Sequence, residues 1–293
     1  MALTGRRRLL AWAIRHGSFH TFRLALDKSQ DFDISDDDEE EETPLHCAVY
    51  RYESFVAEIV VALVDQGEDL EISIAYKGTP LDAACSQHNF EAAMALLRAG
   101  ALVPDDCLAS SVSLVRAKSA GGHVPDKYLE RHKKLQQDFI REIVKEGLDI
   151  DWRPWNENGR PALIHAVNEG ESSTVQLLLN LGADVNYRCG CGRPALIWAA
   201  EGLKPSCVDL LLRAGANVNS VDNDGQSAGH VLPIKGLSHD AEAIWRALLM
   251  RGLDIDLECW YSEYRMHASI RHLANYEASQ GNGGLQELIW QVR

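Results

Sequence analysis

The sequence has no run of eighteen or more uncharged apolar residues, which excludes an ordinary membrane-spanning helix and leaves no membrane partner to expect. No charged start, apolar middle and small-residue cleavage site follow one another, so no secretory leader is expected. Basic residues are scarce: 29 Lys and Arg stand against 43 Asp and Glu, a formal net charge of −14. Seven of the acids form one run, Asp36 to Glu42, and the remainder is still acidic. A surface of that sign repels phosphate backbones, so nucleic acid is not an expected partner. The one dense basic cluster, Arg6 Arg7 Arg8, makes a weak patch. Residues 1–26 hold five arginines and no acid, a faint likeness to a mitochondrial presequence, but the same residues fit the repeat unit described below.

Patterns that carry catalysis are missing as well. Gly281 Asn282 Gly283 Gly284 is preceded by no strand and followed by no Gly-Lys-Ser/Thr, so it is a flexible joint and not a phosphate cradle. There is no Gly-x-Ser-x-Gly elbow and no metalloprotease helix. The seven cysteines are odd in number and scattered, which argues for reduced thiols and a cytoplasmic or nuclear location. Cys189 and Cys191 form a Cys-x-Cys, yet no second pair is spaced to complete a zinc site. No metal or cofactor is expected.

What the chain does have is an ordinary globular composition, 46% apolar and 25% charged, and a period. Gly67, Gly100, Gly147, Gly182, Gly215 and Gly252 each follow a helical apolar run. Paired apolar residues stand four and three positions before each glycine, from Leu63 Val64 through Leu178 Leu179 to Leu248 Leu249. Another apolar residue stands three positions after each: Leu70, Val103, Ile150, Val185, Val218 and Ile255. The intervals are 33, 47, 35, 33 and 37 residues, a unit of about 33 with one insertion. Glycine can end a helix in a left-handed conformation, and the later apolar residue can seal the extended segment that follows. Each unit opens with a short helix, clearest at Thr43 Pro44 Leu45 His46 Cys47 Ala48 and Thr79 Pro80 Leu81 Asp82 Ala83 Ala84. The frame recurs at Pro161 to Ala166, Pro194 to Ala199 and Ser227 to Leu232.

The Thr-Pro-Leu-His-x-Ala opening, the paired leucines and the endings Gly182 to Asn186 and Gly215 to Asn219 resemble ankyrin repeats. The resemblance covers about Thr43 to Asp256 well and both ends weakly. It implies an all-α ankyrin repeat solenoid of about eight helix-turn-helix units with degenerate caps, stacked side by side in a single domain. The expected divisions are a cap repeat at 8–35, an acidic loop at 36–42, two regular repeats at 43–103, a repeat with a helical insertion at 104–151, three repeats at 159–256 and a cap repeat at 262–293. It also implies that His46 and His230 tie adjacent turns together, and that a protein or peptide partner is held by the concave face and the loop tips.

Departures from the regular array point to where such a partner would sit. The acidic run is expected to stay extended and wet. The insertion predicts a break at Ser119 to Gly122 and one amphipathic helix over Asp126 to Glu146, with Tyr128, Leu135, Phe139, Ile140, Ile143 and Val144 on its apolar face. Trp152 and Trp155, Tyr187, and Trp260 Tyr261 with Tyr264 lie on projecting loops, where large aromatics either give contact area for little entropy or fold down on adjacent loops. Tyr50, Arg51, His165, Glu169, Trp198 and Glu201 fall on the inner helices. Two readings follow. The first is a scaffold or adaptor, monomeric by itself, that binds through these residues. The second is an enzyme that uses a groove near Trp198, with His165, Glu169 and Glu201 as acid-base groups.

Overall fold

The computed structural model describes residues 2–27, 42–51, 55–105, 107–112, 126–152, 159–232, 237–261 and 266–292; at 2–8, 126–129, 260, 261, 266 and 267 only the backbone is described. Two compact units divide the chain, Met1–Leu148 and Asp149–Arg293.

In the first unit α1 (Ala2–His16) and α2 (Phe19–Asp27) pack as a helix pair. Leu10, Ala13, Ile14 and Phe22 are buried there, so the arginine-rich start is a folded repeat helix whose next neighbour is α3 (Pro44–Val49). Three more pairs follow: α3 with α4 (Val56–Asp65), α5 (Pro80–Ser86) with α6 (Phe90–Arg98), and α7 (Cys107–Val112) with α8 (Asp126–Lys145). The opening helices α1, α3, α5 and α7 stack in one row, and α4, α6 and α8 stack in a second.

Local chemistry starts and stops these helices. The Thr43 hydroxyl accepts the His46 amide at the start of α3, and Pro44 fills the first turn, where no amide donor is needed. At α5, Thr79 Oγ1 accepts the Asp82 amide at 3.2 Å while the Asp82 carboxylate accepts the Thr79 amide at 2.8 Å, a reciprocal cap. All six periodic glycines take φ between +82° and +100°. At Gly182 the Ala183 amide reaches back to the Leu178 carbonyl at 3.0 Å, closing the helix end.

The insertion enters the stack as a long second helix. Phe139, Ile140 and Ile143 of α8 are buried, whereas Leu135 and Val144 are half-buried. Gln136 is buried beside them because its amide donates to the Ser111 and Val112 carbonyls at 2.7 and 3.3 Å, satisfying the end of α7. Ser119 to Gly122 and the acidic residues Asp36 to Glu41 lie outside the described residues, as does the side chain of Tyr128.

The second unit holds the pairs α9 (Ala162–Glu169) with α10 (Ser172–Asn180) and α11 (Ala195–Glu201) with α12 (Pro205–Arg213). Then come α13 (His239–Met250), an antiparallel hairpin of β1 (Glu258–Tyr261) and β2 (Met266–Ser269), α14 (Ile270–Ser279) and α15 (Gly284–Val292). The hairpin register runs from Glu258 opposite Ser269 to Tyr261 opposite Met266.

One opening departs from the expected pattern. Ser227 to Leu232, read as a helix frame, forms no helix: Ser227 bridges to Val221 and the residues after it turn. Gly229 explains this in two ways: glycine is a poor helix former, and here the neighbours press on its backbone. A Cβ at Gly229 would sit 2.7 Å from Ile270 Cδ1 and 2.8 Å from Leu253 Cδ2, with the fully buried Trp245 ring next at 3.4 Å.

Successive loops of the second unit are joined by a side-chain ladder. Asp151 accepts the Asp184 amide at 3.1 Å, Asn186 accepts the Asn217 amide at 2.8 Å, and Asn219 accepts the Asp254 amide at 2.7 Å. The two asparagines also donate to the carbonyls of Gly215 and Gly252. This is the physical use of the Asn that closes each Gly-Ala-Asp/Asn-Val-Asn segment.

Candidate functional site, an arginine and tryptophan cluster on the opening helices of the second unit

Pro161 and Pro194 stand in extended conformation at the starts of α9 and α11, so Arg160 and Arg193 enter these helices in the same way one repeat apart. Four positions beyond each proline stand His165 and Trp198, both half-buried. Trp198 is the centre of the cluster. The Arg160 guanidinium lies 4.0 Å from its ring centroid and that of Arg193 lies 5.5 Å away. A cation over an indole face is attracted by the ring quadrupole, by about 0.5–2 kcal/mol depending on desolvation.

The two arginines differ in what else they hold. Arg193 Nε donates to Asp222 at 2.8 Å, one terminal nitrogen donates to Glu201 at 3.0 Å, and the other donates to Gln226 at 3.4 Å. Asp222 is buried and also accepts the amides of Asp224 and Gln226, both at 2.9 Å. Arg160 Nε is buried with no hydrogen-bond acceptor among the described residues. The Trp198 indole N–H is buried beside the Cys189 sulfur and has no nitrogen or oxygen acceptor among the described residues.

Neighbouring groups titrate away from their ordinary values. Burial raises the Glu169 carboxyl, the Glu171 charge adds to this, and Lys204 opposes it. Burial also opposes ionisation of Cys189, but hydrogen bonds from the Cys191 thiol and from backbone amides prevail, and its thiol lies below the ordinary range. Burial and the adjacent Cys189 raise Cys191. Among the described residues, no three His, Cys, Asp or Glu side chains are grouped to hold a metal ion.

The residues singled out from sequence fall in several places. His165, Glu169, Trp198 and Glu201 share the opening helices of the second unit, with Glu201 exposed and tied to Arg193. Trp152 and Tyr187 are half-buried on its loops. Trp155 and Tyr264 lie outside the described residues, and Trp260 and Tyr261 are placed by backbone only, on β1. Tyr50 and Arg51 belong to the first unit: Lys77 Nζ lies 5.5 Å from the Tyr50 ring centroid, and Arg51 donates to the Ile14 carbonyl. A cavity of about 260 Å³ there is lined by Arg15, Glu42, Cys47, Tyr50 and Lys77, with Glu42 paired to both basic groups.

The two buried histidines do what the resemblance implies. His46 Nδ1 accepts the Thr43 hydroxyl at 2.8 Å, and Nε2 donates to the Gly78 carbonyl of the next repeat at 3.1 Å. His230 Nδ1 accepts the Ser227 amide at 3.0 Å and hydroxyl at 2.7 Å, and Nε2 donates to Leu257 at 3.1 Å. Burial lowers both imidazoles below the ordinary 6.5.

Arg160, Arg193 and Asp222 were missed in the sequence. The available signal was the recurrence of Arg-Pro at 160–161 and 193–194.

Stacked helix pairs with glycine-ended second helices and histidine-tied turns define the class, and comparison with known proteins agrees. The family described as "Ankyrin repeats (3 copies)" matches residues 10–106, and that described as "Ankyrin repeats (many copies)" matches 166–212. Both matches are to ankyrin repeats, and the fold is an all-α ankyrin repeat solenoid of stacked helix-turn-helix units. Among solved structures it is similar to the ankyrin repeat domain of Bcl-3, described as a unique member of the IkappaB protein family, at 24% identity and a TM-score of 0.56. That likeness covers 81% of this chain and 97% of the other. It is also similar to the ankyrin repeat domain of human ASB11, at 18% identity and a TM-score of 0.59, covering 83% of this chain and 96% of that one. No curated protein sequence matches. No helix among the described residues is long and apolar enough to cross a membrane.

Proposed function

We propose that the chain is a non-catalytic scaffold or adaptor that holds a protein or peptide partner, with the Trp198 cluster as its docking centre. The observation that carries this reading is a half-exposed tryptophan on an opening helix, fixed in place by two arginines. Tryptophan and arginine dominate the energetics of protein interfaces, because a rigid amphipathic ring loses little entropy on contact. Trp152 and Tyr187 supply further aromatic surface on the loops of the same unit. Free cysteines at all seven positions suit a reducing compartment, and we place the protein in the cytoplasm or nucleus.

The test is affinity capture from the native cell with the intact chain. Trp198→Ala combined with Trp152→Ala should remove the co-purifying protein while helix content and cooperative unfolding are kept. Trp290→Ala, at a 70% exposed position on α15, serves as the control and should leave capture unchanged. Capture that survives the paired substitution would defeat this placement of the site.

A further inference from the structure

The proposed docking role carries an inference about what the partner presents, and that inference rests on it. Arg160 and Arg193 occupy one register 33 residues apart, and Arg193 shows what this position holds when satisfied: Glu201 at 3.0 Å and Asp222 at 2.8 Å. Stepping each acid back by the same 33 residues gives Asn168 and Cys189, neither of them a carboxylate. The seat that Glu201 and Asp222 fill around Arg193 has therefore lost both acids around Arg160. Among the described residues Arg160 has no ion pair, and its Nε is buried without an acceptor. Its guanidinium is nevertheless held in place, 4.0 Å from the Trp198 ring centroid.

We propose that Arg160, laid on Trp198, receives one Asp or Glu side chain of a peptide segment docked on the opening-helix face of the second unit. A planar guanidinium offers parallel donors that match a carboxylate, and a stacked one has already lost much of the freedom that binding would remove. Repulsion between an acidic segment and the −14 chain is screened beyond about 8 Å at physiological salt, while a direct pair at Arg160 is not.

The experiment is a selection of random dodecapeptides displayed on phage against the full chain, run in parallel on Arg160→Gln, Asn168→Glu and Trp198→Ala. Wild-type binders that require Trp198 should carry an acid at one fixed position. A synthetic binder with that acid replaced by its amide should bind wild type about tenfold more weakly, as expected for loss of a charge-assisted hydrogen bond, and should bind Arg160→Gln as well as the acid form does. Asn168 is exposed on α9, so Asn168→Glu supplies an internal carboxylate in the register of Glu201 and should weaken the acid form selectively. Equal binding of acid and amide forms to wild type, or unchanged discrimination by Arg160→Gln, overturns the carboxylate seat while leaving docking through Trp198 intact. If no selected peptide depends on Trp198, the docking reading and the carboxylate seat fall together.

Discussion

Replacing His230 with leucine tests how the turns are tied, because the substitution keeps roughly the volume and removes the polar edges. Three hydrogen bonds are lost, from the Ser227 amide, the Ser227 hydroxyl and to the Leu257 carbonyl. At about 1 kcal/mol each, His230→Leu should destabilise the second unit by about 3 kcal/mol near pH 7.5. The effect should depend on pH with a defined sign. Burial lowers the His230 imidazole below its ordinary 6.5 in the folded protein, so the unfolded chain takes up the proton first. The contribution of His230 is therefore complete above 6.5 and is lost as pH falls below it. His46 remains in both proteins and cancels in the difference. Urea unfolding, followed by hydrogen exchange within residues 227–257, should show the gap between wild type and variant narrowing from pH 7.5 to pH 5. A gap that stays constant across that range, or one below about 0.5 kcal/mol at pH 7.5, would refute the assignment.

Further expectations concern the glycines, the ladder and the ion pair. Gly182→Ala meets no atom within 4 Å, so its cost is backbone strain alone, about 1–2 kcal/mol at φ +100° and readable as a lowered melting temperature. Gly229→Ala instead drives a methyl into Ile270 and Leu253 and should cost about 1–3 kcal/mol, with near-ultraviolet dichroism reporting displacement of Trp245. Asn219→Ala removes the acceptor of the Asp254 amide, and exchange of that amide should quicken while those in α13 keep their protection. Arg193→Gln leaves the buried Asp222 without its cation and should cost about 3 kcal/mol in chemical denaturation, whereas Arg160→Gln should cost only its stacking on Trp198, about 0.5–2 kcal/mol.

The repeat itself was legible because its constraints are local. A glycine must stand where φ is positive, and apolar pairs must stand where second helices face their neighbours, so both leave marks at fixed offsets. The buried roles of His46 and His230 followed from the motif for the same reason. Ser227 to Leu232 was misread because its outcome is decided by Trp245, Leu253 and Ile270, which are distant in sequence. The hairpin of Glu258 to Ser269 was hidden because its loop aromatics read equally well as exposed tips. The Arg160 and Trp198 pairing was invisible for a related reason: a side chain that reaches from one repeat to the next leaves no trace in either repeat alone. Only comparison of the same position across repeats exposes which charges have lost their partners.

The loop ladder has a mechanical consequence. Among the described residues Asn186 and Asn219 each clasp the adjoining turn, so tension pulled along the chain of the second unit meets small clasps in series. Such a unit should yield stepwise, each rupture releasing a contour of about 11 nm for a 33-residue repeat at about 3.4 Å per residue. Rejoining a detached turn needs only its nearest neighbour. The module would therefore behave as a low-force spring that recovers when the load on a tethered partner is released.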